Sequence, residues 1–570
     1  MSNNIRVFLW FGLALALWVN YTQWKQDYGQ TPGTPAAVAD STGTNSAAQP
    51  PSLSDTVPQA AQSAAATPAA ADAAPAPAGG VETPAASSAP ESTSPGIRVT
   101  TDVLVLDISL AGGSLVRAEL PAYPMVKGEV APVVLFNRDS AATNYVLQSG
   151  LGPADSAHPS HLATFTSAAN SYALTPGQDE LRVPLTWTDG NGITITKTYV
   201  FHRSMYSINL EYQIQNATQA PWKGNSYVQI NRTDPEVEHS MFKVESFATR
   251  GPAIFDGEKY RKLNIEESED QISQDVKNGW IAGIQHHFVS AVVPESADPY
   301  HYSMKANGRE YLLVASGPLK TIAPGGTATF SEKLFVGPKL QKQLLTLHPD
   351  LDRVADYGKL TFLSRPLFLL LSFLHNLMSN WGVAIIFATL LLKLAFYPLA
   401  QYSGRSMARM RVLAPRMKQL QETYKDDREK LGRAMMDLYK TEKVNPMSGC
   451  LPMLIQMPVF LAFYWVLLES VEMRQAPFFG WINDLSARDP FFILPLLNGV
   501  AMWGQYKLNP PPPDPVQAKV FQFMPLVFSV MFALFPAGLV LYWVTNTGLS
   551  ILQQWNINRT LEGADKARKK

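Results

Sequence analysis

The chain of 570 residues holds a single cysteine, Cys450, so no disulfide framework and no multi-cysteine metal site can form within it. Beside an apolar run, a lone Cys reads as a small apolar filler; a reactive role would need exposure and a lowered pKa. An excess of either charge is missing too. Lys and Arg number 47, as do Asp and Glu, so no global field draws the chain to nucleic acid. There is no nucleophile elbow, no phosphate loop and no pair of His on one helix face. His286-His287 stands without a third ligand at a recognisable spacing. No catalytic residue, metal or cofactor is therefore assigned. Basic residues are absent between Lys25 and Arg98, and aromatics between Tyr28 and Tyr123. That stretch, 26–96, is rich in Ala, Pro, Ser and Thr. It cannot bury enough apolar surface to offset its ordering entropy, and it reads as a disordered tether.

A chain of this length needs more than one core. Its apolar residues gather in a short N-terminal block and in the last third. Residues 5–24 form an apolar run after Arg6, with Trp18, Tyr21 and Trp24 at its far end, where an interfacial belt would sit. A secretory leader would show a small-x-small cleavage site just beyond; Asn20–Gln30 offers none, so 1–25 is expected to be an uncleaved anchor.

Residues 97–345 read as a β-rich outer domain. In Tyr206–Ile214 apolar and polar side chains alternate, as in a sheet with one wet face. Ile193–Phe201 behaves alike after the turn-forming Asp189-Gly-Asn-Gly192, and Tyr311–Ala315 and Thr329–Val336 flank Ala323-Pro-Gly-Gly326. A large antiparallel β-sandwich is predicted.

From Leu360 the pattern changes. Pro366–Leu399 is nearly all apolar. As one straight helix it would run ~51 Å against a hydrocarbon core of ~30 Å, so a break is expected, at Ser379-Asn380. Residues 346–380 are then a linker and an outer interfacial helix, and 381–400 a span. The 401–445 segment is basic, with eleven Lys and Arg between Arg405 and Lys443. Met410, Leu413, Met417, Leu420 and Tyr424 recur at steps of three and four, and Leu431, Met435 and Leu438 continue the pattern after a polar turn. This predicts an α-helical hairpin in water, bent at Pro415. Further spans are expected at 446–472, 490–506, 519–535 and 537–558, the last two joined at Phe535-Pro-Ala-Gly538. The basic hairpin and the basic tail 559–570 should be cytoplasmic. Six spans then place both termini inside and the β-domain outside, and the parity closes.

Lys393 is the one ionisable residue well inside these spans. A charge at the bilayer centre costs roughly 2.5–3.5 kcal/mol on insertion scales. Two readings remain open from position alone: a cation in a wet cavity, or a Lys whose stem snorkels to the interface. Thr389 lies one turn away, and Gln456, Gln505, Gln522, Tyr542 and Thr545 offer polar groups on other spans; each serves equally as an interhelical hydrogen-bonding group. The frequent Met residues suit an adaptable binding surface or an ordinary core.

Several motifs are familiar. Tyr397-Pro-Leu399, Ser406–Arg411, Lys440–Pro446, Gly449-Cys-Leu-Pro452, Ile455-Gln-Met-Pro458 and Phe535–Tyr542 resemble, in order and spacing, the YidC family of membrane insertases. That family also includes the mitochondrial oxidase-assembly and thylakoid Albino proteins. The match is dense from about residue 360 to 560; the anchor and outer domain match the Gram-negative form only in layout. The resemblance implies a chaperone and insertase of the bacterial inner membrane, not an enzyme, with five helices forming a hydrophilic groove. A positive charge there attracts the polar outer segment of an incoming protein. Family members usually carry Arg where this chain has Lys393; the charge is kept, the bidentate fork is lost. Carried over residue by residue, Thr389, Lys393, Gln456, Met457, Phe460, Tyr542 and Trp543 would line the groove. Arg405, Arg409, Arg411, Met417 and Met435 belong to the hairpin that would receive substrate. Implied partners are nascent membrane proteins, the Sec translocon with its accessory subunits, the ribosome (through hairpin and tail) and the bilayer. No small-molecule substrate is implied. The outer domain resembles the super-sandwich folds of sugar-processing enzymes, from which no sugar activity follows. Two rivals remain: a solute transporter or channel, which should show further intramembrane ionisable residues or an internal repeat, and an anchored sugar-binding or enzymatic module, which should place its ligand in 97–345.

Overall fold

The structure is a computed structural model that describes residues 96–153, 158–236, 248–267, 270–425, 427–442, 451–508 and 515–568. The expected anchor, the tether but for its last residue, Cys450 and the end of the tail lie outside these residues. The chain divides into two compact units. One comprises the β-domain together with Trp465–Gln475, and the other comprises Phe362–Tyr464 and Ala476 onward.

The β-domain is a sandwich. Its 8-stranded sheet runs Tyr260–Lys262, Arg250–Phe255, Trp280–Gln285, Phe288–Pro294, Thr327–Pro338, Ser207–Asn216, Ile193–His202 and Glu180–Thr188. The facing 11-stranded sheet centres on Trp222–Thr233, flanked by Glu310–Ser316 and Tyr145–Gly152. The alternation read from the sequence sets the register. Ile208, Leu210, Tyr212 and Ile214 point into the core while Asn209, Glu211, Gln213 and Gln215 point away. One core holds side chains from both sheets, among them the fully buried Trp280, Tyr199, Tyr212 and Tyr302. Burying an aliphatic or aromatic side chain of this kind is worth ~1.5–3 kcal/mol. The expectation of an antiparallel sandwich needs one correction: Gly96–Thr100 pairs parallel with Ser171–Ala173. The connection between them, 101–170, is 70 residues long and imposes no hairpin geometry.

The sandwich interior is not wholly apolar. Lys197 lies on the inward face between Ile195 and Tyr199. Its amine donates to Gly112 O (2.8 Å) and Ser149 O (3.3 Å) and faces the rings of Phe165, Tyr199 and Tyr212. Burial holds it well below the usual lysine range. Glu332 is also buried, its Oε1 accepting from Ser226 Oγ and Tyr300 OH, each at 2.8 Å. Burial pushes this carboxyl up to about 7. The folded state thus holds a proton there that the unfolded chain releases above about 4.5. The stabilisation is full below pH ~4.5 and is lost as pH rises through ~7. Glu332→Gln should therefore stabilise the domain at pH 8, by at most ~3 kcal/mol, and have little effect at pH 4.5. Thermal melts at the two pH values check this; equal shifts at both would disprove it.

The described helices are α1 (Gln341–Leu347), α2 (Thr361–Met378), α3 (Trp381–Ala395), α4 (Tyr397–Thr423), α5 (Arg428–Thr441), α6 (Leu451–Glu469), α7 (Ile493–Leu508), α8 (Pro515–Phe532) and α9 (Ala537–Arg568). Between α2 and α3 the chain breaks at Ser379, with φ 54°, and Asn380, whose side chain caps α3 by accepting from Val383 N. α3 does not run to residue 400. It ends at Ala395 and turns by 64° into α4, which places Lys393 in its last turn. α4 runs through Pro415 as one continuous α-helical element. Leu413 and Met417, either side of the proline, pack with Met435 and Leu438 of α5, and this contact favours the helical path. α9 runs on past 558, the expected end of the last span, to Arg568. α7 and α8 pack closely: a Cβ on Gly499 would come within 2.0 Å of Ser529 Oγ. Among the described residues one helix, α2, is long and apolar enough to cross a membrane. α3 and Tyr397–Ser406 pass that test together as a bent pair, and parts of α6 and α8 are shorter apolar helices.

Candidate functional site: a polar cavity around Lys393

A cavity of about 490 Å³, counting its open mouth, lies among α3, α4, α6 and α9. Its polar lining is Thr389, Lys393, Gln456, Tyr542 and Asn546; Leu392, Phe396, Ile455 and Val459 supply much of the rest. Each helix contributes through its own periodicity. Thr389 and Lys393 are four residues apart on α3 and so share a face. Thr389 itself is buried, its hydroxyl donating to Ile385 O at 2.7 Å, which leaves its methyl for packing. Lys393 is half-buried. Its Nζ donates to Ser550 Oγ at 2.8 Å, and Ser550 Oγ donates in turn to Asn546 O at 2.7 Å. Among the described residues no ion pair includes Lys393. Gln456 Nε2 donates to the buried Tyr542 hydroxyl, and Phe463 stacks on the Tyr542 ring at 4.2 Å. The Asn546 Oδ1 atom is buried with no hydrogen-bond partner. A buried acceptor of this kind costs free energy unless water or a ligand satisfies it. The site therefore has a cation, a hydroxyl, an amide and an unmet acceptor in apolar walls, with no nucleophile and base arranged for chemistry.

Of the residues expected to form the groove, Lys393, Thr389, Gln456 and Tyr542 meet at this cavity. Met457, Phe460 and Trp543 do not line it. Met457 lies on an outward face of α6 with Leu454 and Leu461. Phe460 packs edge-on to Trp543, centroids 4.8 Å apart, and Trp543 also touches Phe532. Gln522 is exposed on α8, and the Thr545 hydroxyl is turned back onto Leu541 O. Neighbouring positions on α9 face the cavity instead. Tyr542, Asn546 and Ser550 recur every four residues, a stripe legible in the sequence once a partner for Lys393 is sought along one helix face. Asn498 of α7 is fully buried and accepts from Thr547 Oγ at 3.4 Å, which seats α9 against α7.

In the hairpin, Arg405 and Arg409 are exposed, and the Arg411 side chain lies outside the described residues. Met417 is buried in the α4–α5 contact, and the partly buried Met435 packs against it. His286 and His287 stack with centroids 3.7 Å apart, and His286 Nε2 donates to Leu468 O at 2.9 Å. Burial lowers His286 to about 4 and His287 as well, which keeps both neutral. Among the described residues no group of three or more His, Cys, Asp or Glu is placed to hold a metal.

Comparison with known proteins bears on what such a cavity belongs to. Residues 96–370 match the family described as the YidC periplasmic domain, and residues 373–565 match the family described as the 60Kd inner membrane protein. The membrane protein insertase YidC of Thioalkalivibrio sulfidiphilus is 43% identical over 99% of this chain and 100% of its own. That of Nitrosococcus oceani is 44% identical over 98% and 99%. A crystal structure of an active YidC insertase with its first transmembrane domain resolved aligns at 19% identity and TM-score 0.37, over 81% of this chain and 92% of that one. Identity of this extent along nearly the whole length of both chains defines the class as inner-membrane insertases with a periplasmic domain. The chain belongs to the YidC family of membrane protein insertases.

Proposed function

We propose that this chain inserts and helps fold integral membrane proteins by drawing the polar outer segment of a client into the cavity around Lys393. The observation that carries the proposal is the cavity's composition: one cation without a carboxylate partner among the described residues, beside an unmet amide oxygen, in apolar walls. Such a site lowers the cost of a polar or acidic segment entering part-way, while the client's apolar helix exchanges into lipid. It needs no bond-breaking chemistry, and insertion is not an enzymatic activity.

In this reading the membrane part has six spans, the anchor at 1–25 and five core helices, with both termini cytoplasmic. The apolar runs and the basic hairpin and tail support that layout. The exposed arginines Arg405 and Arg409 suit contact with a ribosome or an emerging chain, and action beside the Sec translocon is part of the same proposal.

A photo-crosslinking amino acid at Asn546, facing the cavity, and another at Asp437, on the exposed side of α5, test this in membranes holding a stalled nascent chain. Crosslinks from Asn546 to the client's polar outer segment are expected. Capture at Asp437 with none at Asn546 would refute entry into the cavity. Solute flux through proteoliposomes, with no nascent-chain capture, would favour a transporter.

A further inference from the structure

The β-domain carries one exposed apolar tip that its own fold does not explain. Between the strands Ser114–Pro124 and Pro132–Phe136 the chain runs Met125-Val-Lys-Gly-Glu-Val-Ala131. Met125, Val126 and Val130 are exposed to 61%, 55% and 98%. Three apolar side chains displayed together on a turn are unfavourable in water. Gly128, at φ 88°, makes the reversal that puts Val126 and Val130 on either side of the tip.

The root of this hairpin is tied to one particular segment. Arg474 donates through Nη2 to Pro124 O (2.8 Å) and Met125 O (3.2 Å). Gln475 Nε2 donates to Pro124 O at 3.0 Å, and Lys127 Nζ donates to Gln475 O at 2.6 Å. Arg474 and Gln475 follow α6 directly, after the short 3-10 turn Val471–Met473. Six residues of which three form that turn reach no more than about 16 Å, so the hairpin root lies close to the outer end of α6. The last turn of α6 is itself held in the β-domain by the buried Lys339–Glu469 pair. The headgroup zone extends roughly 5–8 Å beyond the hydrocarbon core on each side.

We infer that the Met125–Ala131 tip inserts Met125, Val126 and Val130 into the headgroup and upper acyl region of the outer leaflet. The occupant of this apolar surface is lipid, because the segment that holds the hairpin is the one leaving the membrane. Lys127 and Glu129 at the same tip suit the polar part of that zone. The inference rests on α6 spanning the bilayer, and it gives the periplasmic domain a second attachment to the membrane, independent of the cavity.

The test uses the full chain in nanodiscs, with Cys450→Ser removing the native thiol and an NBD fluorophore on one introduced cysteine. Val130→Cys is the reporter; at 98% exposure its side chain packs against nothing, so folding is unaffected. Leu526→Cys on α8, 65% exposed, reports lipid, and Asn307→Cys on the exposed end of a strand reports water. The expected result is a blue-shifted emission at position 130 and at least about twofold quenching by lipids spin-labelled near the headgroup, with weaker quenching by labels deep in the acyl chain. Water-like emission at 130 with quenching at 526 would overturn the inference and leave the span reading intact. A blue shift at 130 without lipid quenching would overturn it in favour of a protein contact. Absence of quenching at both positions would remove the span reading and the inference with it.

Discussion

Lys393→Leu is expected to lower insertion of a client with an acidic outer tail about tenfold. An acidic side chain brought to mid-membrane costs ~2.5–3.5 kcal/mol on insertion scales, and a cation within reach should recover about 1.4 kcal/mol or more of it, which is tenfold in an equilibrium. A client with an uncharged tail has less to gain and should lose no more than about threefold. Lys393→Arg keeps the charge and should fall within about threefold of the parent, since nothing in the cavity demands a compact ammonium beyond the Ser550 hydroxyl. Ser550→Ala removes only the neutral anchor for the amine and should cost less than Lys393→Leu. Protease protection of the inserted tail in membranes reads all four. Equal loss for acidic and uncharged clients in Lys393→Leu would mean that the residue acts through packing rather than charge.

Glu469→Ala is expected to destabilise the periplasmic domain strongly. Lys339 Nζ donates to Glu469 Oε2 at 2.8 Å with both side chains fully buried, and Glu469 Oε1 accepts from Thr249 N at 2.8 Å. Removing the carboxylate leaves an ammonium in the core with Val354 O, at 3.2 Å, as its remaining hydrogen-bond partner among the described residues. Breaking a buried pair from one side costs about 3–5 kcal/mol. For a domain of this size that is a fall of about 10 °C in melting temperature. The double change Lys339→Met with Glu469→Leu removes both charges and should recover most of the loss, because a well-packed apolar pair is often no worse than a buried ion pair. Limited proteolysis of the full chain at rising temperature reports the domain's melting. A single mutant as stable as the parent would show that water reaches Lys339.

The fate of particular residues shows how far local pattern carries. Strand positions were legible because a period of two and flanking Gly turns encode them: Ser207–Asn216 and Ile193–His202 lie where Tyr206–Ile214 and Ile193–Phe201 were expected. The same alternation places Lys197 inside, yet a Lys among Thr and Ile reads as a wet-face residue until the partner sheet supplies Gly112 O and Ser149 O. Glu469 follows the uncharged apolar run Leu451–Leu468 in the sequence. Its partner Lys339 is far away in sequence, and no spacing rule links them. In the cavity the cation was legible from its cost in an apolar run, whereas the four-residue spacing of Tyr542, Asn546 and Ser550 did not by itself say that this stripe meets the cation. Choosing among polar residues on α9 needs the rotation of that helix about its axis, which its packing on α7 and α3 sets.

The sequence by itself determined the division into β-domain and apolar helices, the break before Trp381, the basic hairpin, and a lone cation where charge is expensive. These are local quantities: periodicity, capping, charge density and transfer cost act over a few residues. Only the tertiary structure decided that α3 stops at Ala395, that Tyr542 rather than Thr545 meets Gln456, and that the end of α6 is clamped by Lys339 and Arg474. Those outcomes depend on contacts between segments tens to hundreds of residues apart, where packing and the need to satisfy buried polar groups outweigh local preference.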